Sequence, residues 1–100
     1  MSTLLLKVFG ANDQSYALLH DLEDDSRTVV SAETKAPVYR FDSSMRVTNA
    51  SGTLIAYAHM NKDETWYFTE VPSGDLFETG HKCTERAEVM FTQHLLEKQE

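Results

Sequence analysis

The sequence contains few of the residues that cross-link or sharply turn a small protein. Its 100 residues include one cysteine, two prolines and four glycines. A single cysteine makes no intramolecular disulfide, which favours a reducing compartment. The glycines never cluster, so the sequence has no glycine-rich phosphate-binding loop.

Long apolar runs are also missing. No segment approaches the roughly 20 apolar residues that a membrane-spanning helix requires. The first residues, MSTLLLKVFG, lack the basic n-region and the cleavage pattern of a secretory signal peptide. We therefore predict a cytoplasmic protein. Hydrophobic residues make up 41% of the chain and charged residues 25%, a globular composition, so we expect a single compact domain over residues 1–100.

Basic residues are scarce as well. Nine Lys and Arg against sixteen Asp and Glu give a formal net charge of −7, which disfavours direct binding to nucleic acid. The acids are densest in the run DLEDD, which is most simply a solvated loop that aids solubility. The functional alternative is a docking surface for a protein partner with a basic surface. Its candidate residues are Asp21, Glu23, Asp24 and Asp25.

Alternation of apolar and polar residues predicts strands along most of the chain. It is clearest over residues 38–48, where Tyr39, Phe41, Met45 and Val47 define one buried face, and we predict a single strand there. Residues 14–22 fit either a helix or a strand. We favour a strand because the carboxylates that follow would lie unfavourably at a helix C-terminus. The other predicted strands are 3–9, 27–34, 53–60, 65–71 and 76–80.

The last predicted element is a helix that begins at Thr84 as its N-cap, with Glu85 and Glu88 favourably placed near the positive end of the helix dipole. Helical spacing predicts one buried stripe. The stripe consists of Ala87, Met90, Phe91, His94 and Leu95. The predicted fold class is α+β, an antiparallel β-sheet built from four to six of these seven candidate strands, with a C-terminal α-helix packed on one face.

Three consecutive aromatic residues, 66–68, raise the alternative of a nucleic-acid-binding module. Such modules stack bases on exposed aromatic residues within a basic surface. Here the sheet face around Arg40, Arg46 and Trp66 would serve. The order of three hairpin strands and a helix over residues 38–98 resembles the AP2-type and the integrase N-terminal DNA-binding modules, and the resemblance implies the same function. Packing in the core is the simpler interpretation of the aromatic residues.

A second alternative is a small cysteine-dependent enzyme. Cys83 precedes the predicted helix, where a thiol pKa is lowered, and His81 is close enough in sequence to act as a base. The sequence marks neither an orienting third group nor an oxyanion site, so we assign no catalytic residue. The histidines and the cysteine show none of the spacings typical of metal sites, and we assign no metal or cofactor.

The favoured hypothesis is a non-enzymatic protein that binds another macromolecule. Some small acidic proteins imitate the charge of DNA in this way. Size and charge suit an accessory or inhibitor protein of a phage or mobile element. The sequence does not identify the partner, and it leaves self-association open.

Overall fold

The computed structural model describes residues 3–98, which form an eight-stranded antiparallel sheet and one helix. The prediction of one domain over residues 1–100 extends at both ends beyond the described residues. The strands lie in the sheet in their order along the chain. The elements are β1 (Thr3–Ala11), β2 (Gln14–Asp21), β3 (Arg27–Ser31), β4 (Pro37–Phe41), β5 (Arg46–Asn49), β6 (Leu54–Met60), β7 (Trp66–Glu70), β8 (Leu76–Glu78) and α1 (Thr84–Lys98).

The prediction of four to six strands is wrong, although the α+β kind broadly fits. One reason is that residues 38–48 form two strands joined by a hairpin turn, β4 and β5. Phe41 pairs with Val47 across this hairpin. Cross-strand partners point to the same face of a sheet, and both positions are odd-numbered. Apolar residues therefore occupy odd-numbered positions on both sides of the turn, with Ser43 as the one interruption, and the sequence pattern does not reveal the turn.

The turn between β4 and β5 is held by the side chain of Asp42. Its carboxylate accepts hydrogen bonds from the backbone N–H groups of Ser44 and Arg46 at 2.9 and 3.0 Å. Met45 adopts a positive φ of 65° in this turn. Its side chain is 47% exposed, so the prediction that it lies on a buried face is also wrong.

Residues 14–21 form strand β2, as favoured from the sequence. The acidic run therefore lies at a hairpin between β2 and β3 and not at the end of a helix. Helix α1 does occur where it was predicted, but the carbonyl of Cys83 accepts the N–H of Ala87 at 3.0 Å. Cys83, and not Thr84, therefore holds the N-cap position.

The buried side of α1 differs from the predicted stripe. Met90 is 37% exposed and His94 is half-buried, whereas Glu88 is only 4% exposed. The buried face therefore includes the residues that follow Ala87, Phe91 and Leu95 and not the residues that precede Phe91 and Leu95. The buried helix residues are Ala87, Glu88, Phe91, Thr92, Leu95 and Leu96.

The core lies between α1 and the inner face of the sheet. The helix contacts both β1, at one edge of the sheet, and β7, next to the other edge, so the sheet curves around it. Phe91 is fully buried and stacks on Phe68 with ring centroids 4.2 Å apart. His94 stacks on Phe77 beside this pair at 4.3 Å. Among the described residues, no helix has both the length and the apolar character needed to cross a membrane.

Candidate functional site

The topology gathers carboxylates at one end of the sheet. Because each strand pairs antiparallel with the next, alternate loops lie at the same end. The β2–β3, β4–β5 and β6–β7 loops therefore share an end with the segment that leads from β8 into α1. We call this end the acidic end. Its carboxylates are those of Asp21, Glu23, Asp24, Asp25, Asp42, Asp63 and Glu64.

The loops at the opposite end carry much less negative charge. Their acidic residues are Asp13, Glu33 and Asp75, with Lys35 among them, whereas the seven carboxylates of the acidic end have Lys62 and Lys82 among them. The net charge of −7 is therefore distributed unevenly over the molecule, although the acids of the acidic end are spread over more than forty positions of the sequence. Only the part of this surface that is contiguous in the chain is recognisable from the sequence.

Arg40 joins two of the loops at the acidic end. Its Nη2 donates to Asp24 at 3.1 Å, and its Nη1 lies 3.9 Å from a carboxylate oxygen of Asp42. Asp24 also accepts from the hydroxyl and the N–H of Ser26 at 2.7 and 3.0 Å. Two of these bonds come from within the β2–β3 loop and one from β4, so Asp24 fixes the shape of the acidic end as well as adding charge to it.

The other predicted partner-binding residues lie in the same hairpin. Asp21 accepts the N–H of Glu23 at 2.9 Å, and the carboxylate of Asp25 lies 2.6 Å from Nε2 of His20. The carboxylate of Glu23 is exposed and accepts no hydrogen bond within residues 3–98. Of the four predicted residues, Glu23 is therefore the one whose side chain has no structural task in the described structure.

Hydrogen bonding keeps part of the acidic end ionised. Donation by the side chain and then the backbone of Ser26 lowers the pKa of Asp24 below its ordinary value, and Arg40 adds to the effect. Donation by the side chain and the backbone of Thr65 lowers the pKa of Asp63 in the same way. Both carboxylates therefore remain charged well below neutral pH.

A cavity of about 210 Å³ lies beneath the acidic end, between the first turns of α1 and the sheet. Two acids of the acidic end, Asp25 and Asp42, belong to its wall. The rest of the wall is partly polar and partly aromatic. It includes Arg27, Phe41, Ser43, Met45, Arg46, Val47, Ala58, Trp66, Phe68, Thr84, Ala87 and Glu88.

Arg27 and Glu88 form a buried ion pair in this wall. Their side chains are 16% and 5% exposed. Burial raises the pKa of Glu88 from its ordinary value of 4.5 to about 7, while the charge of Arg27 acts in the opposite direction. From the sequence alone, Glu88 is expected only to interact favourably with the helix dipole. Its spacing from Phe91, Thr92 and Leu95 is the signal that would have placed it on the buried face.

Trp66 is in the same wall and is 7% exposed. Its backbone is pinned to the segment before α1, since its N–H donates to the carbonyl of His81 at 2.9 Å and its carbonyl accepts the hydroxyl of Thr79 at 2.7 Å. Within residues 3–98, its indole Nε1 is the one buried side-chain nitrogen or oxygen without a hydrogen bond. A buried indole offers no platform for stacking a base.

The surface suggested for nucleic acid combines residues from both faces of the sheet. Phe41 and Val47 lie on the inner face of the sheet with Phe68, so their neighbours Arg40 and Arg46 originate on the outer face. Trp66 shares the inner face with Phe68, two residues along the same strand. Arg40 and Trp66 therefore start on opposite faces of the sheet, whereas Arg46 also belongs to the wall of the cavity that Trp66 lines.

The proposed cysteine site is not assembled in the described structure. Cys83 is exposed, and no hydrogen bond within residues 3–98 joins its thiol to His81. Nor do the described residues contain a group of three or more His, Cys, Asp or Glu side chains placed to hold a metal ion.

The chain was also compared with protein-family models, with curated proteins and with solved structures, and none of the three comparisons found a match. We therefore infer a function from the acidic end and from the chemistry of the surfaces around it.

Proposed function

We propose that the protein is a non-enzymatic binding protein whose acidic end docks on a basic surface of a protein partner. The observation that supports this proposal is the meeting of carboxylates from three separate loops at one end of the sheet. A solubility feature needs no such concentration, because charges scattered over the surface serve that purpose equally well.

Physical chemistry connects this arrangement to binding. Charges within about 10 Å of one another act together at ordinary ionic strength. A concentrated negative surface accelerates encounter with a basic partner and orients it. Hydrogen bonds to Asp24 and Asp63 hold the loops in place, and the exposed side chains of Glu23 and Glu64 extend from them. The cavity behind Asp25 and Asp42 offers a recess for a side chain of the partner.

Two sequence-based expectations belong to this proposal. The single cysteine supports action in the cytoplasm. Small size and strong negative charge support the role of an accessory or inhibitor protein of a phage or mobile element, one that competes with nucleic acid for a basic site.

The test is a matched pair of charge-reversed variants. Glu23→Lys with Glu64→Lys changes the acidic end, whereas Asp13→Lys with Glu33→Lys makes the same change of net charge at the opposite end. Each pair includes one residue with positive φ, Glu64 at 71° or Asp13 at 62°. The probe is a short peptide of alternating Lys and Arg, titrated into isotopically labelled protein at two salt concentrations.

We expect the first pair to weaken peptide binding roughly tenfold at low salt and the control pair to change it little. In the wild type, the amide signals that shift should belong to the loops of the acidic end, and the affinity should fall as salt rises. Equal weakening by both pairs would show that only net charge matters and would overturn the proposal. Tight retention of single-stranded DNA by the wild type would favour the nucleic-acid alternative instead.

A further inference from the structure

The free edge of β1 borders a groove whose charge is opposite to that of the molecule. The groove runs between β1 and α1 and has a volume of about 340 Å³. Its charged residues are Lys7 and Arg86, with His81 nearby, and no Asp or Glu within residues 3–98 belongs to its wall. In a chain with a net charge of −7, this absence of carboxylates is a local reversal of charge.

The groove follows the edge of the strand and not one of its faces. Lys7, Val8 and Phe9 are consecutive residues of β1, and all of them line it. Side chains of consecutive strand residues point to opposite faces, so a groove that touches all of them must lie along the strand edge. The helix supplies the opposite wall with Arg86, Val89, Met90 and Gln93.

This edge of β1 presents unpaired backbone groups. β1 is the first strand of the sheet and pairs only with β2. The carbonyl of Gly10 points away from β2, because it accepts a hydrogen bond from Nε2 of Gln93 at 3.0 Å. Backbone direction alternates along a strand, so Val8, two residues earlier, presents its N–H and carbonyl to the same free edge.

Apolar side chains lie exposed along the same strand. Leu4, Leu5 and Val8 are 51%, 56% and 64% exposed, and Met90 on the facing helix is 37% exposed. Exposed apolar residues next to a free strand edge are the features of a surface that accepts an additional strand.

We propose that this edge binds an extended segment of a partner protein in which apolar residues alternate with Asp or Glu. The segment pairs with β1 as an additional antiparallel strand. Its carboxylates enter the groove on the helix side and meet Lys7 and Arg86, and its apolar side chains lie on the opposite face beside the exposed Leu5 and Val8. A second copy of this chain fits less well. Each copy carries a net charge of −7, and pairing two such edges would bring Lys7 and Arg86 of one copy near the same basic residues of the other.

The inference is independent of the proposed function, because it concerns a different surface and a partner segment of opposite charge. The probe is a peptide of alternating Val and Glu. Two control peptides replace either its Val by Ser or its Glu by Lys. The variant is Lys7→Glu with Arg86→Glu, and its matched control is Lys35→Glu with Lys62→Glu.

We expect the Val–Glu peptide to slow hydrogen exchange of the Val8 N–H and to shift signals of β1 and α1. The groove variant should weaken this binding at least about tenfold, whereas its control should change it little. Replacing the Val residues of the peptide by Ser should also weaken its binding to the wild-type protein. The groove variant should still bind the Lys–Arg peptide of the preceding test. The variant with Glu23→Lys and Glu64→Lys should still bind the Val–Glu peptide.

Two results would overturn the inference. One is binding of the Val–Glu peptide that leaves Val8 exchange unchanged, since the strand edge would then take no part. The other is a dimer of the free protein, seen by sedimentation, in which Val8 is already protected, because a second copy would then cover the edge. Circular dichroism of each variant identifies a loss of binding caused by unfolding. If the groove variant fails to fold, Lys7→Gln with Arg86→Gln replaces it, with the same expected direction.

Discussion

Nε of Arg27 donates to both carboxylate oxygens of Glu88, at 2.7 and 2.8 Å, inside the protein. The two residues are 61 positions apart and belong to β3 and α1. Nη1 of the same guanidinium donates to the carbonyl of Asp25 at 3.1 Å. One arginine thus connects the helix, the sheet and a loop of the acidic end.

Titration of Glu88 should make stability depend on pH. Burial raises its pKa in the folded state to about 7, above the ordinary value of 4.5. Its contribution is therefore complete below about pH 4.5 and is lost as pH rises through about 7. From pH 5 to pH 8, the unfolding free energy of the wild type should fall by about 3 kcal/mol relative to that of Glu88→Gln. Urea unfolding at several pH values measures this difference. If the difference in unfolding free energy between the wild type and Glu88→Gln stays constant or rises with pH, the charge of Arg27 has a larger effect on the pKa of Glu88 than burial has.

Phe91→Ala should destabilise the protein by about 3–5 kcal/mol, the usual range for deleting a buried aromatic side chain. Phe91 is fully buried and contacts Phe68 and Phe77, so the deletion leaves a void in the core. Met90→Ala, the adjacent change on the exposed side of α1, should cost less than about 1.5 kcal/mol. Thermal and urea unfolding of the two variants compare the two sides of the helix. Similar costs would mean that the buried stripe is misplaced.

Asp42→Ala should weaken the β4–β5 hairpin. The change removes the acceptor for the N–H groups of Ser44 and Arg46, and we expect a cost of about 1–2 kcal/mol. Ser44→Ala retains the same N–H and should be nearly neutral. Unfolding measurements give both costs, and amide exchange of Arg46 should accelerate only in the first variant. An unchanged exchange rate would indicate that the turn does not depend on Asp42.

Cys83→Ser should leave folding intact and raise stability slightly, by up to about 1 kcal/mol. Cys83 is exposed and holds the N-cap position, where serine is a preferred residue. Thr84→Ala, one residue further, should change stability by less than about 0.5 kcal/mol. Thermal unfolding distinguishes the two positions. A larger loss of stability in Thr84→Ala would indicate that Thr84 is the N-cap residue. Loss of partner binding in Cys83→Ser would indicate a functional role for the thiol.

Local patterns of the sequence determined much of the fold. The alternation of apolar residues located most strands, and the carboxylates after residues 14–22 correctly favoured a strand over a helix there. The composition around Thr84 correctly located the start of the last helix to within one residue. These features depend on neighbours in the chain, so they are visible in a single sequence.

The tertiary structure decided the strand number, the buried side of the helix and the shape of the surfaces. The turn at Asp42 was invisible because paired positions on either side of it preserve the alternation. Glu88 was not recognised as buried because its partner, Arg27, is distant in sequence and meets it only when the sheet curves around α1. The acidic end and the groove beside β1 arise in the same way. Both depend on which loops and edges an antiparallel topology brings together, and a linear pattern of charge does not contain that information.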